Sequence, residues 1–301
     1  MQKIHKAKKS LGQNFLKSVP ALNKIVEAGE ISKDDIILEI GPGKGALTEK
    51  LLEKSNCVVA VEKDRDLYEL LKNKFSSQIQ SGSLVLVHED ILEFSIQKMA
   101  YKFFSGPRIH GAPTPSQISS KNFSPSFESF KIIANIPYNI TGAILKKFLT
   151  EKNQPSLMVL MVQNEVAKRM VARDRKESIL SISVKAYGEP KMIIKVPARY
   201  FSPSPKVDSA VIAIKNISRK VFIENKLDEE TFWQVIHAGF AHKRKILHSN
   251  LKKYDPLLVS PLAGGEKTTL IKTLGTKRAE ELTLKDWIGL IKIADIHKKS
   301  S

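Results

Sequence analysis

The alternation of apolar runs with amphipathic segments restricts this chain more than any other feature. "DIILEI" (35–40), "CVVAVE" (57–62), "SLVLVH" (83–88), "KIIAN" (131–135) and "SLMVLMV" (156–162) read as buried strands. Between them "ALTEKLLEK", "DLYELLKNKF", "GAILKKFL" and "NEVAKRMVAR" carry helical periodicity. Strands that alternate with helices build a parallel sheet covered on both faces, which is also why each strand is apolar throughout. Two more strand-like runs, "KMIIKVP" (191–197) and "KVDSAVIAI" (206–214), flank "ARYFSPSP" and are expected as an antiparallel pair at one sheet edge.

The rhythm fails twice. Residues 99–130 hold four of the fourteen prolines and many serines, a composition expected of a weakly ordered insertion. A helix is expected over about 91–98, just before it. After about residue 218 the pattern turns helical, in "EETFWQVIHAGFAHKRKILHSNLKKY" and "KRAEELTLKDWIGLIKIADI". The expected organisation is an α/β domain over 1–218, a doubly wound and mostly parallel sheet with an antiparallel edge, then a small helical domain over 219–301.

Charge and composition narrow the class. The 301 residues carry 49 Lys and Arg against 31 Asp and Glu, a net charge of +18 that points to a polyanionic partner, nucleic acid first. The uninterrupted apolar run Leu157 to Val162 is far too short to span a bilayer, and no apolar core follows Lys3, Lys6, Lys8 and Lys9. A cytoplasmic protein with no membrane partner is expected. Cys57 is the single cysteine and the seven histidines lack ligand spacing, so no metal is expected.

"LEIGPGKGALTEKLL" follows a strand and opens a helix. Gly41, Gly43 and Ala46 satisfy the dinucleotide pattern G-x-G-x-x-G/A, so an NAD reading stands open. The added Gly45, and the acid Glu39 two residues before the first glycine, fit S-adenosylmethionine better. Glu62 ends the second strand, where an acid binds ribose hydroxyls or is merely a solvated strand end. Asp90 follows the third, where it accepts a proton from an adenine amine or caps the next helix.

The fourth strand ends in "NIPY". An amide (Asn135), a carbonyl (Ile136), a stiff proline (Pro137) and a ring (Tyr138) match an exocyclic amine on a planar base. The Asn135 oxygen and the Ile136 carbonyl accept its two N–H bonds, and Tyr138 stacks on the ring. The plainer alternative is an Asn-capped turn with Tyr138 as packing.

"KKSLGQNFL", "EIGPGKGALT", "VEKD", "HEDIL", "NIPYNIT", "FSPSPKVDSAV" and "FAHKRKILHSNL" occur in this order. Together they resemble the small-subunit ribosomal RNA adenine N6,N6-dimethyltransferases, the kasugamycin-sensitivity methylase family, over nearly the whole chain except 99–130. The resemblance implies a Rossmann-like methyltransferase domain and S-adenosylmethionine as methyl donor. The implied target is two adjacent adenosines in the 3′-terminal hairpin of small-subunit (16S) rRNA within a pre-ribosomal 30S particle, modified by a monomeric enzyme. Cofactor contacts carry over to Asn14, Leu16, Gly41, Glu62, Asp90 and Asn135, beside Glu39, Gly43 and Gly45 of the loop. Phe201 of "FSPSP" faces the flipped adenine opposite Tyr138, or is an aromatic packed in a proline-rich turn. Lys8, Lys9, Lys243, Arg244 and Lys245 suit RNA backbone contact, against the alternative of solvated surface. Two rivals stay open: a large-subunit rRNA adenine methylase of the macrolide-resistance type, and a non-catalytic ribosome-assembly factor on the same fold.

Overall fold

The computed structural model of the chain describes residues 7–95, 129–254 and 274–298. Its strands, in chain order, are β1 (Phe15–Leu16), β2 (Ile36–Ile40), β3 (Cys57–Glu62), β4 (Leu84–His88), β5 (Phe130–Asn135), β6 (Leu157–Gln163), β7 (Glu189–Val196), β8 (Phe201–Ser202) and β9 (Ser209–Lys215). Seven of them form one sheet in the order β4-β3-β2-β5-β6-β9-β7. The first five run parallel, and β9 pairs antiparallel with β6. All seven strands expected from the apolar runs are present. β1 and β8, two residues each, form a separate antiparallel ladder that no apolar run announces.

The chain divides into two compact units. Residues 1–167 and 191–217 form one; residues 168–190 and 218–301 form the other. In the first, β2 has β3 on one side and β5 on the other, so the strand order reverses there. Ligands in open α/β sheets bind at the carboxyl ends of strands beside such a reversal. One face of the sheet, with Val58 and Val159, packs in one core cluster with Ile25 and Leu71 of the helices Val19–Ala28 and Arg65–Lys74. Helix starts are fixed locally. Ser18 caps Val19–Ala28, with a proline in the first turn, and Asp64 caps Arg65–Lys74.

One helical expectation needs correction. The segment from Ile91 is a turn through Glu93 rather than the start of a helix, and residues 96–128, including most of the expected insertion, lie outside the described residues. In the second unit the run 229–254 is two helices, Glu229–Gly239 and Leu247–Tyr254, with "HKRK" in the turn between them. Packing makes that break. The ring of fully buried Trp287, on helix Leu284–Lys298, lies where a Cβ on Gly239 would come within 2.3 Å, and Phe240 stacks on it at 5.6 Å. The buried Asn250 amide then donates to the carbonyls of Gly239 (2.6 Å) and His242 (3.2 Å), closing the turn.

Candidate active site

Four parallel strand ends converge in the first unit. β2 runs into Gly41, β3 ends at Glu62, β4 leads to Asp90, and β5 ends at Asn135. The register Ile40↔Val61 and Glu62↔His88 keeps them level. With the segment Ser10–Lys17 they enclose a cavity of about 700 Å³.

Gly41, Gly43 and Gly45 all have positive φ (63°, 60° and 80°), a region that penalises any side chain. At Gly45 space is also short, because a Cβ would come to 2.5 Å from the Phe75 ring. The loop is pinned by its neighbours. Gly41 N–H donates to the Val61 carbonyl (3.0 Å) and Gly43 N–H to Glu62 Oε2 (3.1 Å). Glu62 Oε1 accepts from Asp64 N–H at 2.8 Å. Burial raises the Glu62 carboxyl above its ordinary value, although these backbone donors work against the rise.

Glu39 is more extreme. It is 1% exposed, and its Oε2 has no hydrogen-bond partner among the described residues. Burial pushes its carboxyl up to about 8; Thr48 offsets this in part and the Glu62 charge adds to it. Two buried carboxyls in one cavity wall make it a place suited to a cationic group. Asp90 sits in the same wall and is held below its ordinary value, first by Lys63 at 2.6 Å. Its Oδ1 accepts from Leu92 N–H (3.0 Å), the local capping that the sequence offered as its alternative role.

Residues 8–17 cross the cavity as a strap fastened at three points. At the first, Asp64 accepts from Lys8 Nζ (2.7 Å) and Gln13 Nε2 (2.7 Å). At the second, Leu16 and Phe15 pair with Phe201 and Ser202, and Lys17 N–H donates to the Tyr200 carbonyl (2.8 Å). At the third, Asn135 Nδ2 donates to the Asn14 carbonyl (3.2 Å). That last bond orients the Asn135 amide. One N–H of its NH2 is engaged, and Oδ1 remains as an acceptor on a residue that lines the cavity.

Ile136 buries its side chain, so what it offers the cavity is backbone. Pro137 (φ −60°) starts the 3₁₀ turn Tyr138–Ile140, and the Tyr138 hydroxyl is 2.5 Å from Ser209 Oγ. The ring is therefore held at both ends, by the turn and by its hydroxyl. Among the described residues no three His, Cys, Asp or Glu side chains converge on a metal position, and no helix is long and apolar enough to cross a membrane.

The cavity brings together Asn14, Leu16, Glu39, Gly41, Gly43, Glu62, Asp90, Asn135, Ile136, Pro137 and Tyr138. Phe201 is placed differently from its expected role. Its ring is 2% exposed and sits in the core, while the next residue, Ser202, lines the cavity, because successive strand residues point to opposite sides. In this conformation no base can reach the Phe201 face. Lys8 is engaged by Asp64 and by Asp66 (2.8 Å), and Lys9 lies in the short turn Lys9–Leu11. Lys243, Arg244 and Lys245 are exposed in the second unit. Sequence reasoning missed Asp64 and Gln13. Asp64 carries a helix-cap signature, but its partner at Lys8 is 56 residues away and leaves no local trace.

The chain matches the family "Ribosomal RNA adenine dimethylase" over residues 4–294. It is 36% identical over 286 residues to the Ribosomal RNA small subunit methyltransferase A of Dehalococcoides mccartyi, covering 94% of this chain and 86% of that protein. It is also 36% identical over 290 residues to the protein of that name from Fusobacterium nucleatum, covering 96% and 97%. Among solved structures it resembles a dimethyladenosine transferase from Plasmodium falciparum (TM-score 0.70, 24% identity, 95% of this chain and 98% of that one). A 23S rRNA methyltransferase is similarly close (TM-score 0.67, 22% identity, 94% and 100%). At these identities the two structures speak for the fold.

Proposed function

This chain belongs to the ribosomal RNA adenine dimethylase family, and on that premise we propose that it dimethylates the N6 amines of two adjacent adenosines in the 3′-terminal hairpin of small-subunit rRNA. The carrying observation is the hydrogen bond from Asn135 Nδ2 to the Asn14 carbonyl, which leaves Oδ1 as an acceptor in the cavity that holds the glycine loop. An adenine amine has two N–H donors. Asn135 Oδ1 and the Ile136 carbonyl accept them, which turns the nitrogen lone pair out of ring conjugation. Tyr138 supplies a stacking face whose position its Ser209 contact fixes. No strong base is needed, since the amine sheds its proton to water after it has become cationic. The base must leave its stack to reach this depth.

The cavity residues fit S-adenosylmethionine as methyl donor. Gly41 and Gly43 leave the loop backbone open to close approach, and the Glu39 oxygen, without a partner among the described residues, suits a cationic ligand. When bound, the cofactor supplies an electrophilic methyl group on a positively charged sulfur. Glu62 would hold the ribose and Asp90 the adenine amine, while Asn14 and Leu16 close the strap over them. Glu62→Ala should weaken S-adenosylmethionine binding by about 1–3 kcal/mol, the range for losing a hydrogen bond to a charged group. Titration calorimetry reads this directly, and an unchanged affinity would remove Glu62 from the site.

The partner we propose is rRNA in a pre-ribosomal 30S particle, met by a monomer in the cytoplasm. Exposed Lys243, Arg244 and Lys245 would contact the RNA backbone. Lys9 would as well, and Lys8 could join only by leaving Asp64 and Asp66. The relatives named for the small subunit favour this target over the large one. Radiolabelled methyl transfer to unmodified small and large subunits tests it. Label is expected in N6,N6-dimethyladenosine of the small subunit; label confined to the large subunit would overturn the assignment.

A further inference from the structure

The loop before β8 carries features the reaction does not use. Pro197 starts the 3₁₀ turn Ala198–Tyr200, which is held by three hydrogen bonds. Ala198 N–H donates to Asp208 Oδ1 (3.0 Å), Tyr200 N–H to the Pro197 carbonyl (3.0 Å), and the Tyr200 carbonyl accepts from Lys17 N–H (2.8 Å). Phe201 anchors the next position in the core, and Ser202 forms part of the cavity wall with Lys17 and Val19. The Tyr200 backbone is therefore fixed two residues before Ser202 of the cavity wall and against Lys17 of the strap. Its side chain is nevertheless 37% exposed, and it is the one aromatic among the exposed large hydrophobic residues described. Val19, 55% exposed, lies in the same wall.

The charges there are also unusual. Lys8, Lys50, Lys63 and Lys74, which line the cavity or lie near it, each have a carboxylate within 3 Å. Lys17, Arg199 and Lys206 form no ion pair among the described residues, nor does Lys44 of the cavity wall, and Arg199 is drawn electrostatically toward Asp208 without pairing with it. Asp208, the loop's own acid, is paired with Lys195 at 2.8 Å. The Arg199 guanidinium lies 5.3 Å from the Tyr200 ring centre, close enough for a cation–π contact that fixes the ring and puts positive charge beside it. An exposed, rigid ring with unpaired cations around it matches single-stranded nucleic acid: the base stacks and the cations meet phosphates.

We propose that Tyr200, Arg199 and Lys17 form a binding site for an unpaired RNA nucleotide next to the target adenosine, with its base on Tyr200 and its phosphates against the two cations. This rests on the RNA-modifying reading above and extends it, because it assigns recognition to a neighbour of the flipped base. A ring-bearing platform beside the mouth would steady the strand while the target base is out of its stack.

The test uses the full chain and a fluorescent RNA hairpin with two adjacent adenosines in its loop. Tyr200→Leu should weaken binding roughly tenfold, and Tyr200→Phe, which keeps the ring, should restore it. Changing Arg199 and Lys17 to alanine should reduce the salt dependence of log K by about 0.7 for each phosphate no longer neutralised. Affinity for S-adenosylmethionine, measured by calorimetry, should stay at the wild-type value in the Tyr200 and Arg199 variants. The platform is overturned if Tyr200→Leu binds RNA like the wild type, or if Tyr200→Phe falls as far as Tyr200→Leu. Methyl transfer by the wild type is scored separately: RNA bound but not methylated would sink the dimethylase reading and leave the platform standing.

Discussion

Asn135→Ala is expected to slow methyl transfer by about a hundredfold or more, the range for removing one preorganised polar contact to a reacting group. The substitution deletes the Oδ1 acceptor for the target amine. It also frees the Asn14 carbonyl, so the strap loses one of its three fastenings. These effects separate in Asn135→Asp, which keeps an acceptor but cannot donate to Asn14. If holding the strap is the main role of the amide, alanine and aspartate should weaken cofactor binding equally. If accepting the amine is the main role, RNA affinity should change little in Asn135→Ala while single-turnover transfer collapses. Near-normal turnover in the alanine variant would remove Asn135 from the chemistry altogether.

The second large effect is expected in the second unit. Trp287 is fully buried, and Trp287→Ala should destabilise the second unit by about 3–5 kcal/mol, as large-to-small changes of buried aromatics do. Its ring is what Gly239 and Phe240 rest on, so the turn that presents Lys243, Arg244 and Lys245 should loosen with it. Trp287→Phe should be far milder. It keeps most of the ring and discards an indole N–H that is buried without a partner among the described residues, itself a standing cost. Thermal melts followed by circular dichroism, with S-adenosylmethionine calorimetry as a control on the first unit, check both. Equal melting points for wild type and Trp287→Ala would mean that the ring is not what holds this unit together.

Much of the first unit was legible because its strands are buried on both faces and announce themselves as continuous apolar runs. β2 to β6 start and end within a residue or two of those runs. The strand-end residues Gly41, Glu62, Asp90 and Asn135 could be grouped for the same reason, since parallel strands put their carboxyl ends on one edge. What escaped depends on long-range geometry. The ladder of Phe15–Leu16 with Phe201–Ser202 is too short to leave a pattern, and it decides that Phe201 points into the core and Ser202 into the cavity. The helix break at Gly239 was hidden because glycine is compatible with a helix, and the need for it arises from a tryptophan 48 positions later. Lys8 looked like a free cation until Asp64 and Asp66 were seen beside it.

The strap has a consequence for biosynthesis. Its residues are made before their partners, which follow 56 positions later at Asp64, 121 later at Asn135, and last of all in the segment around Phe201. Contacts so distant in sequence form slowly, because long loops must close before any of them is gained. A growing chain can therefore assemble its central strands while its amino end still hangs loose, and the cavity is sealed only when the last part of the first unit has emerged. The strap is made long before the partners that fix it, so nascent chains should acquire cofactor affinity abruptly near the end of that unit rather than in proportion to length.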